Sequence, residues 1–497
     1  MTRIYEINLR LRLPARGEAP LEVDCGVQEH ELATLAEAGF DVVWLMGLFT
    51  VGDRARKLAI QHGRDHRPYD RACPDWTAAD VDGSPFALSA YAVDPRFGGE
   101  RALARLRERA RAHGLQIWVD FVPNHTGFDH PWTLVHPERY IALPEDHVDP
   151  PGEEPAGFAR EDGARSRIAH GKDPYFPPWS DTAQLDLGKL ETRDALIGEL
   201  LSLAARADGA RCDMAMLLLE RVRRATWGHL SAEDASTAGR EFWQESIERV
   251  RAQYPQFRLL AEAYWETEDE LWALGFDFAY DKLSYDHVLA WNLSEIERSR
   301  REDPARQRKR VRFLENHDEK RASAAFPAER RRAAAVLLST LPGGVLFHEG
   351  QFDGVDIHVP VQLRRARRKA SDPATRAFYA RLLAALRTSE MRRGKFRCDL
   401  AERVRGEGAY AVHLWEPELG ARAIVVVNLS DAPLALRVID VAPGERPIAI
   451  DALSRERFPL ARRADGSRYH ELELAAYQAR LLFDRELPDA PVPGCGW

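Results

Sequence analysis

Residues Arg101–Asn124 read RALARLRERARAHGLQIWVDFVPN. The first half sets Leu103, Leu106 and Ala110 at i, i+3 and i+7, with Gly114 just beyond. That is a helix with one apolar face and its stop signal. The second half, Gln116–Asn124, is a short apolar run, partly β-branched and aromatic, interrupted by a single acid, Asp120. A helix ending in glycine and feeding a strand apolar on both faces is the repeating step of a parallel α/β sheet.

The same rhythm recurs on both sides. The apolar runs are Ile4–Leu9, Asp41–Leu48, Gln116–Asn124, Gly209–Leu218, Phe257–Trp265, Phe276–Lys282, Val311–His317 and Gly343–Glu349. Between the third and fourth lies Thr192–Ala207, with Leu196, Leu200, Leu203 and Ala204 on one face before Asp208-Gly209. Eight such units predict an α/β chain closed into a (β/α)8 TIM barrel, with its active site at the carboxyl ends of the strands. Two segments break the pattern. Residues 128–186 are rich in Pro, Gly and charge (PEDHVDPPGEEPAG) and predict an excursion after strand three. The barrel then occupies 1–127 and 187–393. Residues 394–485 carry short alternating runs (Ala409–Leu414, Ala423–Asn428, Leu434–Val438, Pro447–Ile450, Tyr469–Leu474, Ala479–Phe483) and predict a C-terminal antiparallel β-sandwich. Residues 486–497, ending PVPGCGW, are expected to form a loose tail.

With 45% hydrophobic and 30% charged residues among 497, the composition is that of a globular protein and excludes a disordered chain. No run approaches the ~18 consecutive apolar residues of a membrane span. Seventy basic against 78 acidic residues leave a net charge of −8. The basic runs Arg308–Arg310 and Arg364–Lys369 read as solvated helix faces without interleaved aromatics, which argues against a nucleic-acid partner. Five scattered cysteines without CxxC spacing, and an N-terminus that alternates like a strand rather than a signal peptide, predict a reducing, cytoplasmic address.

Acids gather where the predicted strands end: Asp120 after strand three, Asp213 in GARCD, Glu262 in AEAYW, Asp318 in ENHD. A charged group inside an apolar run must be paired or face the barrel mouth. Four strands delivering carboxylic acids to one face supply what glycosidic chemistry needs: one acid ionised to attack carbon, another protonated to release the leaving oxygen.

DFVPNH (Asp120–His125), GARCD (Gly209–Asp213), AEAYW (Ala261–Trp265) and ENHD (Glu315–Asp318), in this order, resemble the four motif regions of the α-amylase superfamily, glycoside hydrolase family 13. YAVDPRFGG (Tyr91–Gly99), QLDL (Gln184–Leu187) and LPGGVLFHEGQ (Leu341–Gln351) look similar as well. The resemblance implies a retaining enzyme acting on α-glucosidic bonds of an α-glucan, maltooligosaccharide or small α-glucoside. It implies Asp213 as nucleophile, Glu262 as general acid/base and Asp318 as the group that grips sugar hydroxyls. Arg211 would pair with the nucleophile, and His125, His317 and Asp120 would serve the −1 sugar. Trp265, with Trp132, Tyr175, Trp179 and Tyr264, offers aromatic surface around the mouth.

Departures from the family are equally specific. Met214–Leu218 replaces the Ala-Lys-His that often follows the nucleophile, so neither an ordinary leaving-group site nor the family calcium ion is expected. Asn124 is read as a loop-orienting side chain rather than a metal ligand. Phe86, in Gly83-Ser84-Pro85-Phe86, stands where many relatives place a tyrosine platform. This segment and DHPW…HPERY (Asp129–Tyr140) resemble bacterial maltosyltransferases that use maltose 1-phosphate, which keeps an α-glucosyl or maltosyl transferase as the alternative activity. His348-Glu349-Gly350-Gln351 and His358-Val359-Pro360 read as a loop over the site, and no catalytic metal or other cofactor is expected. A non-catalytic, carbohydrate-binding relative would dispense with the acids present here. A Schiff-base barrel would need a strand-end lysine, and of eight lysines Lys282 and Lys320 lie near strand ends.

Overall fold

The computed structural model describes residues 1–497 except 15, 17, 20, 22, 148–156, 160–164, 232–233, 401, 418–420, 440–447, 463, 465 and 497. All eight apolar runs become strands of one closed parallel barrel: β1 (Arg3–Asn8), β2 (Val42–Met46), β3 (Gln116–Phe121), β4 (Gly209–Cys212), β5 (Arg258–Ala261), β6 (Phe278–Tyr280), β7 (Arg310–Phe313) and β8 (Gly344–His348). The two helices read from periodicity form as Gly99–Ala112 and Leu190–Arg206. No described helix is long and apolar enough to cross a membrane.

Register explains which side chains enter the barrel. Ile4 lies level with Val42 and Leu346, and two residues on Glu6 lies level with Trp44 and His348. Trp118 pairs with Gly209, and Asp120 with Arg211. Because strand side chains alternate, an apolar layer built on Ile4, Val42, Trp118 and Leu346 fills the interior, and the next inward layer turns polar. The change from apolar to charged happens within one step of two residues. It sets the floor of the site.

The excursion leaves β3 through a short antiparallel ribbon, His125–Gly127 against Thr182–Gln184. The expectation for its remainder falls partly outside the described residues. Beyond the barrel, a six-stranded and a four-stranded antiparallel sheet enclose one apolar core, with Val412, Ile424 and Leu482 of the first facing Leu436, Val438 and Leu472 of the second. Four short strands here were not read from sequence (Lys395–Arg397, Val404–Arg405, Arg457–Pro459, Ala461–Arg462).

Two expectations are corrected. The tail is docked rather than loose: Ala490 N donates to Ala380 O, Arg376 to Val492 O at 2.8 Å, and Cys495 N to Asp353 Oδ2 at 2.9 Å. A proline-rich extended segment has free carbonyls, and an arginine collects them. The basic runs are not helix faces either. Arg310 opens β7, buried and bonded to Glu302 and Asp281, and Arg365 lies in a loop bonded to Asp75 and Asp80.

The turn into β8 depends on Gly343, at φ +116°. A Cβ there would stand 2.3 Å from the carbonyl oxygen of Gln307 and 2.6 Å from that of Arg310. Gly343→Ala is expected to destabilise the protein by about 2 kcal/mol or more. An unchanged chemical-denaturation midpoint would rule this out.

Candidate active site

The carboxyl ends of β4, β5 and β7 bring Asp213, Glu262 and Asp318 around Arg211, which is 1% exposed. Arg211 Nη1 bonds Asp213 Oδ1 at 2.5 Å, its Nη2 bonds Glu262 Oε2 at 2.8 Å, and Asp318 Oδ2 lies 3.9 Å from Nη2. Trp44, Phe86 and Tyr280 turn ring faces to the same guanidinium, with centroids 5.5, 5.3 and 5.7 Å from Cζ. A charge this buried is tolerated only with such partners.

Above it opens a cavity of about 300 Å³ lined by Asp213, Glu262, Asp318, Phe86, His125 and Tyr264, with Ser84, Trp179, Asp181, Thr182, Met214 and Gln362 completing the wall. Local backbone explains the positions. Met214 is left-handed (φ 44°), and its N–H donates to Glu262 Oε2 at 2.6 Å. Tyr264 Oη donates to Glu262 Oε1 at 2.8 Å. The Ser84–Phe86 turn is held against the segment after β8 by Asp82 N to Gln362 O, and Phe86 lies stacked on His317 at 5.4 Å.

Burial pushes Glu262 up to about 7, against the pull of Arg211 and with help from Asp213 and Asp318. Burial also raises Asp213, and Arg211 opposes it with an ion pair and a hydrogen bond. Asp318, 43% exposed to the cavity, stays below its ordinary range because His317 and Arg211 outweigh its enclosure. Asp120, buried at the end of β3, is raised to about 6 by burial, and accepts from Trp44 Nε1 and Gly47 N, each at 3.0 Å. Burial lowers His125 to about 4, which leaves it neutral.

The residues expected from sequence therefore separate into two levels. Asp213, Glu262, Asp318, His125 and Phe86 face the cavity, while Arg211, His317 and Asp120 lie beneath or beside it. Trp265 stands outside on the rim, left-handed at φ 58° and edge-on to Tyr175 at 4.9 Å. Of the other aromatics, Trp179 and Tyr264 line the cavity, and Trp132 packs under Arg139. Lys282 is engaged by Asp286 and Glu319 and does not line the cavity.

Glu6 was not singled out in the sequence, although it interrupts an apolar run as Asp120 does. It is fully buried, hydrogen-bonded through Oε1 to His317 Nδ1 at 2.5 Å, with Oε2 lying 3.1 Å from His348 Nδ1. His348 is thus the last residue of β8, not part of a covering loop. His358 does belong to such a loop, its Nε2 meeting His317 O at 2.9 Å. His317 also reaches Asp318 Oδ2 with Nε2, at 3.1 Å. Burial disfavours its charge, but Asp318 and Glu6 prevail and hold the imidazole well above its usual range.

The family calcium ion does not fit these residues. Asn124 Oδ1 accepts from Gln184 Nε2 at 3.1 Å and Asn124 Nδ2 donates to Gln184 Oε1 at 3.3 Å, so the side-chain oxygen faces an amide donor. Met214–Leu218 carries no side-chain oxygen or nitrogen in place of the histidine expected from the resemblance.

Comparison with known proteins bears on the fold and on one segment of the sequence. Residues 26–139 match the family model for the alpha amylase catalytic domain. A segment of 119 residues is 35% identical to an alpha-1,4-glucan:maltose-1-phosphate maltosyltransferase of Burkholderia pseudomallei, covering 23% of this chain and 9% of that protein. Alpha-amylase MalA of Haloarcula japonica is 24% identical over 356 residues, 70% of this chain and 43% of its own. The crystal structure of an alpha-amylase from Lactobacillus plantarum superposes with a TM-score of 0.66 at 20% identity, over 97% of this chain and 98% of that one. Residues 26–139 thus resemble the alpha amylase catalytic domain, and the chain as a whole shares the fold of the solved alpha-amylases. Its segment-level likeness to the maltosyltransferases spans well under two thirds of those proteins' length.

Glu6→Gln removes the buried charge and keeps an acceptor. The pKa of His317, followed by NMR titration of its imidazole, is expected to fall by at least about one pH unit. An unmoved titration would mean that Asp318 alone holds the imidazolium.

Proposed function

We propose that this chain is a retaining glycosidase that hydrolyses α-glucosidic bonds of maltooligosaccharides or small α-glucosides. The observation that carries the reading is the single guanidinium of Arg211 bonded to both Asp213 and Glu262 at the cavity floor. One planar fork holds two carboxyl groups close together, as a retaining mechanism needs, at about 5–5.5 Å.

Asp213 attacks the anomeric carbon as a carboxylate while Glu262 gives its proton to the departing glycosidic oxygen. The carbon–oxygen bond breaks and a glycosyl ester on Asp213 forms. Water then enters, Glu262 takes its proton, and the new hydroxyl displaces Asp213. Asp318 and neutral His125 bind hydroxyls of the sugar, and Phe86 lies beneath its face. His317, charged between Glu6 and Asp318, keeps Asp318 ionised and oriented. The reaction as proposed needs no metal or cofactor. Cys25, Cys73 and Cys212 are buried free thiols, which supports a reducing, intracellular setting.

A second reading, glucosyl or maltosyl transfer, draws on the 35% identical maltosyltransferase segment. It replaces water by a sugar in the second step. Purified protein incubated with a maltooligosaccharide ladder, with and without maltose 1-phosphate, separates the two: shorter products alone for hydrolysis, longer chains for transfer. Asp213→Asn is expected to lower turnover by ~10³-fold or more. Glu262 must be protonated for the first step, so kcat/KM should fall as pH rises through about 7. It should also fall at low pH as Asp213 takes up a proton. Activity flat from pH 6 to 9 would remove Glu262 from the acid role.

A further inference from the structure

The cavity wall holds a fourth acid that neither the sequence reading nor the mechanism uses. Asp181 stands in the turn from Trp179 to Thr182, one residue before the strand Thr182–Gln184 that pairs with His125–Gly127. The turn is firmly built. Thr182 N and Oγ1 both donate to Trp179 O, at 3.0 and 2.8 Å, Trp179 N donates to Gly171 O at 2.7 Å, and Gly171 N donates to Thr182 Oγ1 at 3.0 Å. The Asp181 side chain itself makes no ion pair with, and no hydrogen bond to, another described residue. His170 acts on it through space, with its own Nδ1 against Thr182 O at 2.9 Å. The turn thus sets Asp181 in the cavity wall, with its carboxyl unclaimed by any other described side chain. Burial raises it to about 6, so it is largely ionised at neutral pH.

Four carboxylic acids now face one cavity of about 300 Å³, and none of the described residues lining it is Lys or Arg. Arg211 lies under the floor with its Nη atoms already bonded to Asp213 and Glu262. Phosphate recognition elsewhere relies on arginine, lysine or a row of backbone N–H groups. This wall offers the opposite charge. A sugar 1-phosphate would bring a dianion to the oxygen at which Glu262 must deliver its proton, into a site already negative.

We propose that Asp181 is a specificity-determining residue that restricts the cavity to α-glucosides with an uncharged leaving group and turns away sugar 1-phosphates. The inference rests on the glycosidase reading and narrows its substrate class. It also separates this chain from the donor named for the maltosyltransferases that share its segment.

Calorimetry in an Asp213→Asn background, which blocks turnover, gives the dissociation constants of maltose and maltose 1-phosphate. The phosphate is expected to bind at least about tenfold more weakly. Adding Asp181→Asn should narrow that ratio by about tenfold, since one negative charge of the cavity wall is removed. Asp181→Glu should keep it. A phosphate that binds as tightly as maltose, or a ratio unmoved by Asp181→Asn, overturns the proposal. Cleavage of maltotriose by protein with Asp213 intact is measured alongside. Cleavage with an unmoved ratio sinks Asp181 and spares the glycosidase reading. The expected ratio without cleavage of any oligosaccharide does the reverse. Binding of neither sugar overturns both.

Discussion

Everything in the site is arranged around one buried cation. Arg211 arrives on the inward face of β4, level with Asp120 on β3, and its guanidinium meets Asp213, Glu262 and three aromatic rings before it meets water. Isolated, it would cost many kcal/mol to bury. With its partners in place it fixes the distance between two carboxyl groups and sets their competition for protons. Arg211 and His317 are the two cations of the cluster, and they face five carboxyl groups: Glu6, Asp120, Asp213, Glu262 and Asp318. Charge balance forces protons onto some of the five. Glu262 at about 7 and Asp120 at about 6 take them most readily, whereas Glu6 and Asp318 are held below their ordinary range, Glu6 by His348 and His317 and Asp318 by His317 and Arg211. A proton available to a leaving group is thus a consequence of packing more acids than bases around Arg211.

The barrel was legible because parallel strands buried on both faces leave continuous apolar runs, and all eight runs became strands. The acids at their ends were legible for the same reason: an Asp or Glu is conspicuous in such a run. Glu6 satisfied that criterion and was still passed over, because its meaning lies in His317 and His348, more than 300 residues away in sequence. Asp181 was invisible for a different reason. It sits in a loop of Pro and aromatic residues with no period to violate, and only the ribbon between Thr182–Gln184 and His125–Gly127 carries it to the cavity. The short sandwich strands were missed because two or three residues, mostly charged on one side, hold too little alternation to read.

This division has a physical logic. Asp213, Glu262 and Asp318 stand at or just beyond the ends of barrel strands, where sequence pattern betrays them. Trp179, Asp181 and Thr182, which also line the cavity, stand on a connection whose shape is set by hydrogen bonds among Gly171, Trp179 and Thr182. A connection can change its side chains without disturbing the barrel. Two chains can therefore share a barrel and still differ in the side chains that line its mouth.

The sandwich also bears on the site, through the strand that closes the barrel. His413 Nε2 meets Thr340 Oγ1 at 3.0 Å, and Trp415 Nε1 donates to Thr340 O at 2.8 Å. Thr340 ends the helix Ala328–Ser339, three residues before the constrained Gly343. Beyond that turn β8 runs without interruption to His348, whose Nδ1 lies 3.1 Å from one oxygen of Glu6 while His317 bonds the other. The sandwich thus fixes the entry of β8, the exit of β8 fixes Glu6, and Glu6 fixes the imidazole beside Asp318. Loosening the contact at Thr340 would be felt first as a drift of β8, and only through it at the sugar.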